Sequence, residues 1–137
     1  MPRPILLAAP ETGDAALGLI DKLLLELQVA TGGALKGSHI FVPHLQVGDV
    51  GIDTDAAKYA RQTAAALDEA RVVIAVLDGP QVDESVAFLV GAAQRAGKPV
   101  IGYATDGRHK GPLVEAAVTA TASDVQSLAA ALAKILL

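Results

Sequence analysis

The chain has 137 residues, 52% of them hydrophobic and 3% aromatic, with no cysteine and a formal net charge of −4. That length suits one domain, residues 1–137, with a sizeable core; an acidic balance without a Lys/Arg run, and few aromatics to stack on bases, argue against nucleic acid and anionic membranes as partners. No disulfide framework or thiolate chemistry is available, and no uninterrupted apolar stretch is long enough to span a bilayer, so a cytoplasmic location is expected.

The first apolar run, PILLAA (Pro4 to Ala9), is short and continuous, as a buried strand is. It reads better as a strand than as a signal peptide. Pro10, Thr12 and Gly13 break it, and Asp14 is placed to cap a helix over AALGLIDKLLLELQVA. TGGALKGS is a loop, HIFVP a second strand stopped by Pro43, and HLQVGDVGIDTD a long polar loop. The Ala-rich AAKYARQTAAALDEA is helical in spacing. RVVIAVL is the most strand-like run of the chain. A helix from about Asp83 to Ala96, a stop at Gly97 and the strand PVIGYA follow. TDGRHKGP is a loop, VTATA a fifth strand with an optional helix before it, and SDVQSLAAALAKILL a closing helix capped by Ser123.

Strands alternating with helices predict a parallel sheet covered on both faces, with right-handed crossovers. Five strands suggest a flavodoxin-like, doubly wound (Rossmann-like) α/β fold in the order 2-1-3-4-5, with ligands beyond the carboxyl ends of the strands. The loops at that edge are Ala9 to Asp14, Pro43 to Asp55, Asp78 to Glu84 and Ala104 to Pro112.

The candidate motifs carry bland readings beside functional ones. Gly32 and Gly37 have phosphate-loop spacing, but Ser38 and His39 follow instead of Lys and Ser/Thr, and the segment joins a helix to a strand. It reads as a plain connection. His39 and His44 are expected on opposite faces of an extended segment, and neither they nor His109 has a Cys or close carboxylate to complete a metal set. No metal is expected. His44 opens the loop after strand 2 and is placed to line a pocket. Asp49, Asp53 and Asp55 read as a solvated loop with Asp55 near a helix N-terminus, or as a lid over the sheet edge. Asp78 ends strand 3 in a Asp-Gly-Pro turn, and Asp83 reads as an N-cap that still faces the crevice.

The stretch ARVVIAVLDGPQVDESVAFLVGAAQRAGKPVIGYATD resembles the nucleoside 2-deoxyribosyltransferases. LLAAP is similar to that family's first strand and turn, and IFVPH to its second strand. The resemblance implies transfer of 2-deoxyribose between nucleobases, with a Glu nucleophile forming a covalent glycosyl-enzyme and a second carboxyl group handling the leaving base. It implies no cofactor and a homo-oligomer. By the resemblance, Asp83 contacts the nucleobase, Asp78 and Gly79 form the turn after strand 3, and Phe88, Gly91, Lys98 and Pro99 are scaffold. Ala9, Pro10, His44, Asp78, Gly79 and Asp83 are then the expected ligand-binding residues.

The chain departs from the family where the chemistry is done. The nucleophile falls on Leu89, an orienting Asp falls near Thr63, an Asp at the start of strand 3 falls on Arg71, and an Asn reaching a neighbour's site falls near Gly111. No Tyr lies in the first turn. Glu84 does not replace the nucleophile, since five helical residues put it about 140° around the axis from Leu89. Ser85 shares the Leu89 face without a base beside it. The first reading is therefore a nucleoside 2-deoxyribosyltransferase-like protein that binds a nucleoside or nucleotide, with double-displacement transfer lost or impaired and its catalytic residues unknown. The second is an active N-glycosidic enzyme, either a deoxyribosyltransferase or a nucleoside/nucleotide hydrolase in which Asp83 or another carboxylate activates water. The third is a non-catalytic flavodoxin-like interaction domain. Leu89 is expected to lie over the pocket, so Leu89→Glu is expected to be tolerated without by itself restoring transfer.

Overall fold

A computed structural model describes residues 3–10, 14–47, 55–79, 81–107 and 110–136. Five strands form one parallel sheet: β1 (Ile5–Ala8), β2 (Ile40–Phe41), β3 (Val72–Val76), β4 (Val100–Tyr103) and β5 (Ala120–Ala122). Their order is β2-β1-β3-β4-β5, as strand–helix alternation predicted. The helices are α1 (Asp14–Ala30), α2 (Pro43–Gln46), α3 (Ala56–Glu69), α4 (Glu84–Arg95), α5 (Pro112–Ala117) and α6 (Val125–Leu136).

Strand alternation divides the interior into two cores. Ile5, Leu7, Val72, Ile74, Val76, Ile101 and Tyr103 face α1 and α6, where Ile20, Leu23, Leu27, Leu128 and Leu132 meet them. Leu6, Ala8, Val73, Ala75, Leu77 and Val100 face α3, α4 and α5. All five residues of VVIAV are buried, as a central parallel strand requires. Register pairs Ala8 with Ala75 and Val76 with Tyr103, so the turns after β1, β3 and β4 emerge side by side.

Four local expectations are corrected. Strand 2 is shorter than HIFVP: His39 closes a 3-10 turn over Gly37–His39, and its Nδ1 accepts the Lys36 N–H at 2.9 Å. His44 lies in α2, inside the segment expected to be loop, because Pro43 takes the first helical position, where its missing N–H costs nothing. His39 and His44 therefore do not flank one extended strand. The closing helix is capped by Asp124, not Ser123: Asp124 Oδ1 accepts the Ser127 N–H at 2.7 Å. These hydrogen bonds hold the Asp124 carboxyl below the usual carboxylate range. Asp14, expected as a cap, is itself helical.

Basic side chains bind the opposite, amino edge of the sheet together. Lys98 Nζ donates to the carbonyls of Asp68 (2.9 Å) and Ala70 (2.8 Å). Arg71 donates to the last carbonyls of α6, on Ile135 and Leu136. Arg71 is thus committed to a structural task at the amino edge, away from the carboxyl ends of the strands.

Candidate functional site

The turn after β3 is built by a closed hydrogen-bond network. Asp78 Oδ1 accepts the backbone N–H of Thr105 at 2.6 Å and of Asp106 at 3.2 Å, and Oδ2 accepts the Thr105 hydroxyl at 3.0 Å. Asp106 Oδ2 in turn accepts the Gly79 N–H at 2.8 Å. Lys110 Nζ closes the ring, 2.8 and 2.9 Å from the two Asp106 oxygens and 3.2 Å from the Gly79 carbonyl. Gly79 has φ +115°, a conformation that residues with a Cβ rarely adopt. Both Asp78 oxygens are therefore spent on holding the β4–α5 loop against this turn.

Four residues on, Asp83 caps α4. Its Oδ1 accepts the N–H groups of Ser85 (2.9 Å) and Val86 (3.3 Å). Among the described residues Oδ2 has no hydrogen-bond partner. Capping and a view of the crevice coexist here, because the cap uses one oxygen. Asp55 is likewise a cap, its Oδ1 accepting the Lys58 N–H at 3.1 Å at the start of α3.

An open groove of about 690 Å³ runs between α3 and α4, starting at these two capped ends. Ala56, Ala60, Thr63 and Leu67 wall it from α3 at helical spacing; Ser85, Phe88, Leu89 and Ala92 wall it from α4. Tyr59, Ala64 and Glu84 complete the lining. Leu89 and Thr63, which the resemblance aligns with the nucleophile and an orienting acid, thus line one groove. Each is 7% exposed, and Leu89 belongs to the core on this face. The Thr63 hydroxyl is buried without a hydrogen-bond partner among the described residues.

The remaining sequence candidates are placed separately. Ala9 is buried and Pro10 half-buried just past β1. His44 is buried, with Nδ1 lacking a partner among the described residues, and does not line the groove. Asp49, Asp53 and His109 lie outside the described residues. No group of three or more potential metal ligands occurs among the described residues. At the end of β4, burial first, then the nearby carboxylates of Glu26, Asp78 and Asp124, raise the Tyr103 pKa above its ordinary value. A second groove of about 440 Å³, between the end of α1 and α6, has no carboxylate in its lining.

Sequence reasoning treated Phe88 as scaffold and passed over Tyr59. The available signal was scarcity: the chain has two Tyr and two Phe, and one of each lines this groove.

The nucleoside 2-deoxyribosyltransferase family model matches residues 25–123, from α1 through β5. The chain belongs to this family. A conserved protein from Enterococcus faecalis V583 is similar in structure over 98% of this chain and 99% of that one, with a TM-score of 0.78 at 17% identity. The 2-deoxyribosyltransferase from Bacillus psychrosaccharolyticus is similar over 91% of this chain and 89% of its own, at TM-score 0.73 and 18% identity. A Clostridium botulinum CMP N-glycosidase is similar over 95% and 97%, at TM-score 0.58 and 13% identity. At these identities the structural likenesses speak for the fold. A search of curated proteins finds no match. Among the described residues no helix is long and apolar enough to cross a membrane.

Proposed function

We propose that this member of the nucleoside 2-deoxyribosyltransferase family binds a nucleoside or nucleotide at the carboxyl edge of its sheet and has lost double-displacement transfer. The supporting observation is Leu89. By the sequence resemblance it falls on the position of the family's nucleophile, it lines the groove, and its side chain cannot form a glycosyl-enzyme. Two nearby carboxylates have structural tasks: Asp78 is bound on both oxygens, and Asp83 accepts the α4 cap hydrogen bonds through Oδ1. Pro10, Ala9, Gly79 and His44 are proposed to border the ligand from the strand ends. A cytoplasmic homo-oligomer is part of the same proposal.

Asp83 Oδ2 favours a second reading. A carboxylate oxygen without a partner among the described residues is suited to activate water in an inverting hydrolysis, and that reaction needs no covalent nucleophile. A thermal-shift panel of nucleosides and nucleotides, run beside chromatography of the same mixtures, separates these readings. Binding raises the melting temperature whether or not turnover follows. The first reading expects a shift with no released base. Released base supports hydrolysis, and silence across the panel favours an interaction domain.

A further inference from the structure

The outer face of the α3–α4 layer leaves a large apolar side chain in water beside a hollow. Phe88, on the α4 wall of the groove, is 77% exposed. The α3 wall opposite presents small side chains, and Ala60 and Ala64 are both exposed there. Alanines let a second helix approach closely, and a protruding ring beside an alanine-walled groove is a knob beside a hole. Within the groove the Thr63 hydroxyl is nine-tenths buried and has no partner among the described residues. A buried polar atom left unsatisfied is costly unless an occupant of the groove reaches it.

The exposed charges of this face are ordered along the helices. On α3, Arg61 and Asp68 are seven residues apart and share the outer side; on α4, Glu84, Phe88 and Arg95 recur at i, i+4 and i+11 and do the same. The first turns of α3 are positive, with Lys58 beside Arg61, and its last turn is negative, with Glu69 beside Asp68. Asp55, at the positive end, is turned back into the helix cap. On α4 the order is reversed, Glu84 in the first turn and Arg95 in the last. Arg61, Asp68, Glu84 and Arg95 form no ion pair among the described residues. Both helices start at the same edge of the sheet, so a two-fold axis running along them lays α3 of one copy on α4 of the other with their starts level. Arg61 then faces the partner's Glu84 and Asp68 faces the partner's Arg95, while each Phe88 meets alanines. A two-fold axis across the helices instead sets alanine on alanine and Phe88 on itself, and leaves the groove unfilled.

We infer that the α3–α4 face docks a second copy of this chain, α3 on α4 in both directions, with the partner's Phe88 filling the groove that Thr63 and Leu89 line. This rests on the homo-oligomer of the proposed function and assigns its surface. It also makes the groove a seam between copies, and leaves the strand ends at the carboxyl edge for a ligand.

The test is sedimentation velocity of the full chain over a concentration series from about 1 μM to about 1 mM. Phe88→Ala, Arg61→Glu, Glu84→Arg and the double charge variant are run alongside, with urea midpoints to establish that each is folded. Val29→Ala, on the exposed side of α1 across the sheet, is the control. The expected result is a monomer–dimer equilibrium. Phe88→Ala should raise its Kd about tenfold or more, because each interface loses two anchoring rings. Each single charge reversal should raise it about three- to tenfold, because like charges then meet twice per dimer. The double variant restores opposite signs and should return to within about threefold of the parent, with the control unchanged. A dimer that Phe88→Ala leaves intact overturns the inference and leaves a homo-oligomer through another surface standing. So does a double charge variant that dimerises no better than the singles. A monomer throughout the series overturns both the inference and the homo-oligomer, and leaves ligand binding, read by thermal shift, untouched.

Discussion

At the scale of single residues, burial decides what Leu89 can become. The expectation that Leu89→Glu is tolerated required an open position, whereas Leu89 is 7% exposed and packed with Val86, Val90 and Ala93 on the sheet side of α4. A carboxylate there is desolvated, so the substitution should cost about 2–4 kcal/mol at neutral pH. Its pKa would be raised, which makes the penalty smaller in acid. Urea melts at pH 5 and pH 8 check this: the variant should lose less stability, relative to the parent, at pH 5. Equal losses at both pH values would show the new carboxylate to be solvated. Tyr103 gives a second pH signature. Its pKa is raised in the folded state, so its contribution is fully present below the unfolded tyrosine value near 10 and is lost as pH rises through the folded value. Tyr103→Phe should therefore flatten the alkaline decline in stability, measured as melting temperature from pH 9 to 11. Asp83 was legible from sequence because an N-cap is a local signal; the burial of Leu89 was not, because the helix's rotation against the sheet is set by neighbours distant in sequence.

At the scale of elements, the turn after β3 and the loop after β4 behave as one unit. The Lys110–Asp106 ion pair has side-chain exposures of 5% and 21% and a contact of 2.8 Å. The Lys22–Glu26 pair on α1 is longer, 3.6 Å, with exposures of 75% and 42%. The first is partly withdrawn from water and hydrogen-bonded to the backbone; the second is screened on the surface. Lys110→Met should cost about 1–3 kcal/mol and Lys22→Met less than about 0.5 kcal/mol, read from urea midpoints at constant slope. Equal effects would mean that the network does not hold the loop. The elements that sequence misjudged share a cause. In α2, Pro43 starts a short turn that hydrophobic periodicity is too long-ranged to detect. At α6, Ser123 and Asp124 are both good caps, and only the geometry of the strand exit chooses Asp124. Asp78 was legible as a turn residue, but its partners Thr105 and Asp106 lie across the sheet, beyond any local pattern.

At the scale of the whole molecule, topology followed from alternation of apolar strands with helices, since parallel neighbours need crossovers and buried faces on both sides. The groove did not follow, because the spacing between α3 and α4 depends on how each sits on β1, β3 and β4. Yet that spacing is what brings Thr63, Leu89, Tyr59 and Phe88 to one place, beside an Asp83 that retains one uncommitted oxygen. The proposed loss of double-displacement transfer rests on Leu89 standing in this groove. Intact-mass spectrometry of the protein incubated with a 2-deoxynucleoside and a free acceptor base tests this most directly. The expected result is one unmodified protein mass at every time point, with no exchanged nucleoside in the mixture. A deoxyribosyl adduct on the protein, accompanied by exchange, would contradict it and show that a group other than Leu89 serves as the nucleophile.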